Sequence, residues 1–366
     1  MQKTVVLAGG GTGGHVYPAL AMGEALQDAG HVLKYMGDAR RLEGRVVPQT
    51  DIEFFAIPAV QYPRGGVVGK FGFAIGLLKA ILQSRSMLKR LNADFVLGVG
   101  GYISAPPVLA AWTLGVPRAI HEANVTPGLA NRLCARVANL ILLTYEATAR
   151  RLPGSAPRET VGCPVNPKVL LGDRDQAAAR YGLDPATPIL LVVGGSLGAE
   201  TINRIAVAAA QWDQRRFQVL HVTGPKYHEA ISQQLNPLPD GVKLVDYENR
   251  MADAYAVADL VLCRAGSSTL AELTAIGKPS VLVPSPNVTD NHQEGNARGL
   301  EEVGAAVVMV ERDLDIDSAV AQIGSLLADE GTLSRMSTSA KGQGHLDTAK
   351  QVAALLGQRF LGTDQA

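Results

Sequence analysis

Short apolar runs alternate along the chain with longer segments in which apolar residues recur at helical spacing. The first run covers residues 3–8, and residues 19–30 show the first helical spacing. A buried parallel strand is apolar at nearly every position, whereas a helix packed on a sheet is apolar along one face. The alternation therefore predicts an α/β protein built on parallel sheets.

Further apolar runs predict strands in both halves of the chain. In the first half they cover residues 31–36, 52–57, 94–101, 116–120, 137–144 and 158–161. In the second half they cover residues 188–193, 217–223, 242–246, 260–263 and 279–284. Helical patterns cover residues 175–181, 314–328 and 347–360, and polar connectors lie between the last two. Two further helices are predicted, one that begins near Glu200 and one that includes Glu272. A chain of 366 residues is long enough for two such domains.

The first predicted strand leads into a glycine-rich stretch, GGGTGGH at residues 9–15. Glycines let the backbone approach an anion closely, and a helix N-terminus offers unpaired N–H groups, so this stretch predicts a phosphate site. The spacing also fits the dinucleotide fingerprint, with Asp38 near the expected ribose-binding acid, which leaves an NAD(P)-linked oxidoreductase as an alternative. His15, at the first turn of the predicted helix, is not explained by that fingerprint.

The second half begins with the same arrangement. Residues 194–199, GGSLGA, follow an apolar run and precede a helical pattern. A dehydrogenase ordinarily needs one dinucleotide site, so the duplication argues against the NAD(P) alternative. It predicts two Rossmann-like domains.

Other polar or glycine-rich segments follow predicted strands at residues 98–102, 121–124, 264–269 and 285–294. Loops at the carboxyl ends of parallel strands line the ligand crevice of such sheets, so these segments are candidate site loops. Thr126 is expected to cap a helix that starts at Pro127. Thr269 and Glu272 match a capping box, which leaves a purely structural role for Glu272 open beside a ligand-binding one.

Charge and cysteine content argue against several classes of function. Lys and Arg number 34 and Asp and Glu number 34, so general nucleic-acid binding is not indicated. The three cysteines are widely spaced, which predicts neither a disulfide framework nor a zinc site. Residues 54–93 contain no acidic residue, and basic and apolar residues alternate between Arg64 and Arg90. This segment is either a membrane-contacting surface or an ordinary core helix with a solvated basic face.

The motifs resemble those of the MurG family, the peptidoglycan N-acetylglucosaminyltransferases, over essentially the whole chain. The resemblance is carried, in chain order, by GGTGGH at 10–15, GVGGY at 98–102, HEAN at 121–124, GGSLGA at 194–199 and CRAGSSTLAE at 263–272. It implies a GT-B fold, in which two Rossmann-like domains with parallel sheets face a central cleft. It also implies an N-terminal acceptor and membrane domain (1–162, with a C-terminal helix at about 345–366) and a donor domain at 163–344.

The implied reaction is an inverting transfer of GlcNAc from UDP-GlcNAc to the 4-hydroxyl of lipid-linked muramyl-pentapeptide pyrophosphate. The enzyme would have no cofactor and no tightly bound metal. It would act peripherally on the cytoplasmic face of the bacterial inner membrane, contacting anionic lipid through residues 64–90. Its product would serve cell wall biogenesis, cell shape and division. Another lipid or small-molecule acceptor is the close alternative.

The resemblance also implies roles for individual residues. His15 would be the catalytic base or a pyrophosphate ligand. The acceptor pyrophosphate would contact Thr12, Gly13, Gly14, His15 and Tyr102. The donor would contact Asn124, Ser196, Tyr247, Glu248 (through its backbone), Ser267, Ser268, Thr269, Glu272, His292 and Gln293. The chain departs from the family pattern at Cys163, Asn166, Leu197 and His292.

Overall fold

The computed structural model describes residues 2–58, 67–288 and 291–362, with the side chains of residues 67–71 left out of the description. The chain divides into two compact units. The N-terminal unit comprises Met1–Asn166 and His345–Ala366, and the C-terminal unit comprises Pro167–Gly344.

Within the described residues, the N-terminal unit contains a seven-stranded parallel sheet in the order β3-β2-β1-β4-β5-β6-β7. The strands are β1 (Thr4–Ala8), β2 (Val32–Gly37), β3 (Glu53–Ala56), β4 (Phe95–Gly98), β5 (Arg118–Glu122), β6 (Leu140–Leu143) and β7 (Arg158–Thr160). Central strands such as β4 are buried at every position because helices cover both faces of the sheet.

The helices of this unit alternate with its strands. They are α1 (Gly13–Asp28), α2 (Glu43–Val46), α3 (Val67–Arg90), α4 (Ala105–Leu114) and α5 (Leu129–Cys134). Among the described residues, no helix is both long enough and apolar enough to cross a bilayer.

The C-terminal unit contains, within the described residues, a six-stranded parallel sheet in the order β10-β9-β8-β11-β12-β13. The strands are β8 (Ile189–Val193), β9 (Gln218–Val222), β10 (Val242–Val245), β11 (Leu260–Cys263), β12 (Ser280–Leu282) and β13 (Ala306–Val308). The helices are α6 (Arg174–Tyr181), α7 (Glu200–Ala210), α8 (His228–Gln234), α9 (Met251–Val257), α10 (Ser267–Ile276), α11 (His292–Glu302), α12 (Ile316–Leu327) and α13 (Glu330–Lys341). The predicted pair of Rossmann-like domains is confirmed.

The last helix, α14 (Thr348–Leu356), returns to the N-terminal unit and ends in a π-helical turn at Gly357–Leu361. Val352 and Leu356 are fully buried in the same core cluster as Leu7 and Leu26. The Thr348 hydroxyl also donates to the carbonyl of Val161 at 2.8 Å. The C-terminal segment is therefore part of the first unit's core.

Several local predictions were wrong. Residues 330–341 form a helix rather than a polar connector, and Asp329 caps it by accepting from the Thr332 amide at 2.9 Å. The helix after β5 has Gly128, not Thr126, at its N-cap position. β3 was expected to be buried, but it lies at the edge of the sheet, where Glu53 and Ala56 are exposed.

Candidate functional site

Each sheet has a point at which the strand order reverses. In the N-terminal unit the chain proceeds outward from β1 to β2 and β3 and then returns to β4 on the other side of β1. In the C-terminal unit β8 and β11 have the same relation. Ligands of open parallel sheets bind outside the carboxyl ends of the strands at such reversal points. The segments 9–15 and 98–102 flank the first reversal point, and 194–199 and 264–269 flank the second.

The first glycine-rich stretch is held in place from β2 and α2. The Tyr35 hydroxyl donates to the carbonyl of Gly9 at 3.1 Å. The Gly11 amide donates to Glu43 Oε2 at 2.9 Å. Both Tyr35 and Glu43 are fully buried, so these bonds are shielded from water.

His15 lies in the first turn of α1, as predicted. Thr12 is the N-cap residue, and its carbonyl accepts from the amides of His15 and Val16 at 3.1 and 3.2 Å. No side chain caps this helix, so first-turn amides such as those of Gly13 and Gly14 point out of its N-terminus. They carry the positive end of the helix dipole, which favours an anion there.

The second glycine segment of this unit packs against the first. A Cβ atom placed on Gly100 would lie 2.8 Å from His15 Nδ1, and one on Gly101 would lie 2.3 Å from the carbonyl oxygen of Gly10. Only glycine allows these approaches. Tyr102, in the short helical turn that follows, is 37% exposed. The structure thus brings Tyr102's segment and the His15 turn to the same sheet edge.

Asp38 is not arranged as a ribose-binding acid. Its carboxylate accepts from Arg40 Nε and Nη2, both at 3.1 Å. This hydrogen bonding with Arg40 lowers the pKa of Asp38 against the opposing effect of burial. The feature that favoured the NAD(P) alternative is therefore accounted for by an internal ion pair.

His121 and Glu122 were expected in a loop, but they are the last residues of β5 and both are buried. His121 Nε2 lies 3.0 Å from the carbonyl oxygen of Gly162, and burial lowers the pKa of His121 to about 4. A neutral ring that donates from Nε2 satisfies this contact.

The carboxylate of Glu122 forms hydrogen bonds that join Asn124 to the start of the following helix, α5. Its Oε1 accepts from the backbone amide and side-chain amide of Asn124, at 3.0 and 3.2 Å. Its Oε2 accepts from the Gly128 amide at 3.0 Å and from Asn131 Nδ2 at 2.9 Å. Burial raises the pKa of Glu122, whereas these donors lower it. Asn124, which is buried, is therefore oriented by a carboxylate.

In the C-terminal unit, two helices begin at the reversal point without a side-chain cap. Ala199 is the N-cap of α7 and Gly266 is the N-cap of α10. Ser196 is exposed in the loop before α7. Exposed Leu197 follows it. The first turn of α10 consists of Ser267, Ser268 and Thr269. Uncapped helix N-termini with hydroxyls beside them favour an anion, so this edge of the sheet is a second candidate anion site.

Glu272 lies one turn further along α10. Because Gly266 is the N-cap, Thr269 and Glu272 do not form the capping box that the spacing allowed. The Tyr255 hydroxyl instead donates to Glu272 Oε2 at 2.8 Å. Burial raises the pKa of Glu272 to about 7, and the bond from Tyr255 opposes that shift. Glu272 is therefore a half-buried acid with acceptor capacity left for a ligand.

Tyr247 and Glu248 follow β10. The Tyr247 side chain is 39% exposed, whereas Glu248 is buried. Both Glu248 oxygens are engaged, Oε2 by the Tyr181 hydroxyl at 2.7 Å and Oε1 by the Arg250 amide at 2.6 Å. Arg180 Nη2 also lies 3.3 Å from Oε1. The side chain of Glu248 therefore holds its own loop in place. Recognition of a ligand by Glu248 would then involve its backbone rather than its side chain.

His292 and Gln293 were expected in a polar loop, but they form the start of α11. Gln293 Oε1 accepts from the Ser285 amide at 2.9 Å and so joins this helix to the segment after β12. Both side chains are half-buried. Residues 289 and 290 of the same segment lie outside the described residues.

Sequence reasoning missed Glu43 and Tyr255 as residues that organise these sites, and it placed Glu122 in a candidate site loop without giving it a role. Each acts through a partner distant in the chain or through a backbone amide, and no local pattern reveals such a role. Within the described part of the chain, no group of three or more His, Cys, Asp or Glu side chains could hold a metal ion. The expectation of a metal-independent reaction stays a prediction.

Comparisons with known proteins agree with this geometry. The model of the glycosyltransferase family 28 N-terminal domain matches residues 5–143, and that of the family 28 C-terminal domain matches residues 189–352. The crystal structure of MurG from Acinetobacter baumannii superposes with a TM-score of 0.77 at 29% identity, covering 97% of this chain and 99% of that one. A glycotransferase of kitacinnamycin, at 15% identity and a TM-score of 0.72 over 98% of this chain and 100% of that one, shares the fold.

Curated relatives match over nearly their whole length. Proteins from Halothermothrix orenii and Frankia casuarinae are 37% and 40% identical to this chain. The matches cover 93% and 97% of this chain and 94% and 96% of the relatives. Both are named UDP-N-acetylglucosamine–N-acetylmuramyl-(pentapeptide) pyrophosphoryl-undecaprenol N-acetylglucosamine transferases. The chain therefore belongs to glycosyltransferase family 28 and to the family of these N-acetylglucosamine transferases.

Proposed function

We infer that this enzyme transfers GlcNAc from UDP-GlcNAc to the 4-hydroxyl of the muramyl sugar on undecaprenyl-pyrophosphoryl-muramyl-pentapeptide. The observation that carries the inference is that uncapped helix N-termini lie at the strand reversal point of each unit, which gives each unit one candidate anion site. A transfer between a nucleoside diphosphate sugar and a lipid-linked pyrophosphate requires two such sites. The family to which the chain belongs uses these two substrates according to the names of its relatives.

The donor belongs in the C-terminal unit. The N-termini of α7 and α10, with Ser196 and the hydroxyls of Ser267, Ser268 and Thr269, would bind the UDP diphosphate. Glu272 would accept from the ribose hydroxyls, and the Tyr247–Glu248 segment would lie beside the uracil. His292 and Gln293 would contact the sugar, as would Asn124 of the N-terminal unit.

The acceptor belongs in the N-terminal unit. Its pyrophosphate would bind at the start of α1, to Thr12 and the amides of Gly13 and Gly14, with Tyr102 beside it. The acceptor oxygen attacks the anomeric carbon as the bond from that carbon to the UDP oxygen breaks, so the configuration inverts. His15 would take the hydroxyl proton, and the helix N-termini of the C-terminal unit would stabilise the leaving diphosphate.

The test of this function is acceptor-dependent UDP release. UDP should appear from UDP-GlcNAc when a soluble muramyl-pentapeptide-pyrophosphoryl-lipid analogue is present, and not without it. UDP release with a diacylglycerol or small aglycone, but not with the muramyl analogue, would show that the enzyme uses a different acceptor. The proposed glycosyltransferase chemistry would still hold. Absence of release with every acceptor would refute the proposal.

The peripheral membrane contact predicted for residues 64–90 receives support from α3. Leu78 and Leu82 are 57% and 56% exposed, and Trp112 of neighbouring α4 is 54% exposed. Ala80 and Leu88, on another face of α3, are buried. α3 therefore combines a core face with an exposed apolar face, next to exposed Lys79. Arg64 and the side chains of Lys70 and Phe71 lie outside the described residues.

Replacing Leu78 and Leu82 together by serine should weaken binding to anionic phospholipid vesicles by about tenfold or more. Each leucine contributes on the order of 1 kcal/mol when its exposed part enters lipid. Vesicle co-sedimentation measures this, with Leu171→Ser as the control, because Leu171 is 77% exposed in the C-terminal unit. Unchanged binding of the double variant would remove the membrane role of α3. Arg85 is unsuited to this test, since it donates to the carbonyl oxygen and hydroxyl of Thr113.

Donor affinity should depend on pH through Glu272. Ribose hydroxyls donate to the ionised carboxylate, so the KM for UDP-GlcNAc should fall as pH rises through about 7, the raised pKa of Glu272. The expected change between pH 8 and pH 6 is about tenfold. The diphosphate of UDP-GlcNAc is a diester, so it does not itself ionise in this range.

Two variants separate this effect from other titrations. Glu272→Gln should abolish the pH dependence of the donor KM, because the amide does not ionise. Tyr255→Phe should move the midpoint to higher pH, because the Tyr255 hydroxyl bond lowers the pKa of Glu272. A wild-type donor KM that is constant from pH 6 to pH 8 would contradict the prediction.

A further inference from the structure

Glu43 is a carboxylate that the reaction described above does not use. It is the first residue of α2 and has no exposed surface. Among the described residues, no Lys, Arg or His forms a salt bridge with it. A buried charge without a partner is costly, so the groups that satisfy it indicate its role.

Backbone amides from two neighbouring strand ends satisfy Glu43. Oε2 accepts from the amide of Gly11, after β1, at 2.9 Å. Oε1 accepts from the amide of Asp38, after β2, at 3.1 Å. The side chain therefore ties the glycine-rich stretch of the acceptor site to the adjacent strand.

Nearby glycines leave room for this carboxylate. A Cβ atom on Gly10 would lie 2.2 Å from Glu43 Oε1, and one on Gly37 would lie 2.6 Å from Glu43 Cγ. Part of the glycine pattern at residues 9–14 thus admits a protein carboxylate rather than a ligand phosphate. Glycines that fit the dinucleotide spacing are therefore required here for an internal reason.

These hydrogen bonds also separate the backbone groups of the glycine-rich loop into those used within the protein and those that face outward. The amide of Gly11 is used internally, and the Gly9 carbonyl accepts from Tyr35. The amides at the start of α1 remain directed out of the helix, and His15 follows in the same turn. The part of the loop before Thr12 is therefore held by the protein, and the part after it is presented to an anion.

We propose that Glu43 is a positioning residue that holds residues 9–12 in the conformation that binds the acceptor pyrophosphate and orients the His15 turn. The proposal rests on the proposed function, in that it takes the acceptor to bind at this loop. It assigns Glu43 no contact with substrate. Its effect should therefore appear in acceptor recognition and not in donor recognition.

Glu43→Gln tests the proposal. A glutamine oxygen accepts one amide, but its NH₂ group faces the other amide donor, so one bond to the backbone is lost. The acceptor KM should rise by about tenfold or more, since hydrogen bonds to charged groups are the stronger ones. The donor KM should stay within about twofold. Steady-state UDP release with each substrate varied in turn measures this split.

Asp94→Asn is the matched control. Asp94 also accepts a backbone amide of this sheet, that of Thr4, at 2.9 Å, but it lies at the amino end of the strands. The Asp94→Asn variant should leave the donor KM and the acceptor KM unchanged. An acceptor KM for Glu43→Gln within twofold of wild type, or an equal change in both KM values, would overturn the proposal.

Two further measurements keep the proposal testable if Glu43→Gln does not fold. Glu43→Asp keeps the charge but shortens the reach, and it should show the same acceptor-specific effect. In the wild-type protein without ligand, hydrogen exchange at the Gly11 amide should be slow, and exchange at the rate of an open loop would overturn the proposal. A wild-type enzyme without acceptor-dependent UDP release would instead refute the proposed function.

Discussion

Replacing His15 by alanine is expected to lower kcat by about 10²–10⁴-fold while the KM for UDP-GlcNAc stays within about twofold. A general base contributes to the transition state by accepting the acceptor's hydroxyl proton as the new bond forms. The donor diphosphate and nucleoside are assigned to residues of the C-terminal unit, so their binding should not depend on His15. Initial rates of UDP release, with donor and acceptor varied separately, measure the two parameters.

The alternative role of His15 gives a different result. If the imidazole only binds the acceptor pyrophosphate, the acceptor KM should rise while kcat at saturation remains nearly unchanged. His31→Gln is a suitable control, because His31 is a buried histidine that follows the opposite end of α1. A kcat for His15→Ala close to that of wild type would exclude His15 as the base.

Replacing Glu272 by alanine is expected to raise the KM for UDP-GlcNAc by about 10–100-fold with a smaller effect on kcat. The variant removes the hydrogen bonding of the ribose to a charged acceptor, worth about 1.5–3 kcal/mol in total. It also leaves the buried hydroxyl of Tyr255 without its acceptor at 2.8 Å. Donor titrations of UDP release, supported by calorimetric titration with UDP, measure the loss.

Glu302→Ala serves as the control for this variant, because Glu302 is an exposed acid at the end of α11 in the same unit. Its donor KM should match wild type. Glu272→Gln tests fold integrity, because it removes the ionisable group from a half-buried position and should not lower the melting temperature at neutral pH. A large fall in kcat for Glu272→Ala with an unchanged donor KM would place Glu272 in the chemical step instead.

The strands were predictable because burial on both faces demands continuous apolar runs. Each predicted run from residue 3 to residue 284 overlaps one of the strands β1 to β12, although β2 and β5 extend beyond the ends of their runs. β13 (Ala306–Val308) was missed because it is a three-residue strand at the sheet edge, where two of its residues are only half-buried. α13 was missed because its surface is mostly polar, so its apolar positions give a weak helical pattern.

The candidate site was predictable where a backbone conformation demands a residue type. Glycines and hydroxyl residues after apolar runs marked the starts of α1, α7 and α10. The errors arose at buried polar residues. His121 and Glu122 continue β5 beyond the last apolar residue because Gly162 and Asn131, distant in the chain, supply their hydrogen bonds. No local pattern reports such partners.

Two parallel α/β units, each opening with a strand, a glycine-rich turn and a helix, could be predicted from the amino-acid sequence. Those features follow from local periodicity and from the conformational freedom of glycine, which each segment carries alone. The groups that surround each turn depend on the tertiary structure. Strand order brings Glu43 onto Gly11 and Tyr255 onto Glu272. Strand order depends on which strands pair, and pairing is a property of the whole sheet rather than of any one segment.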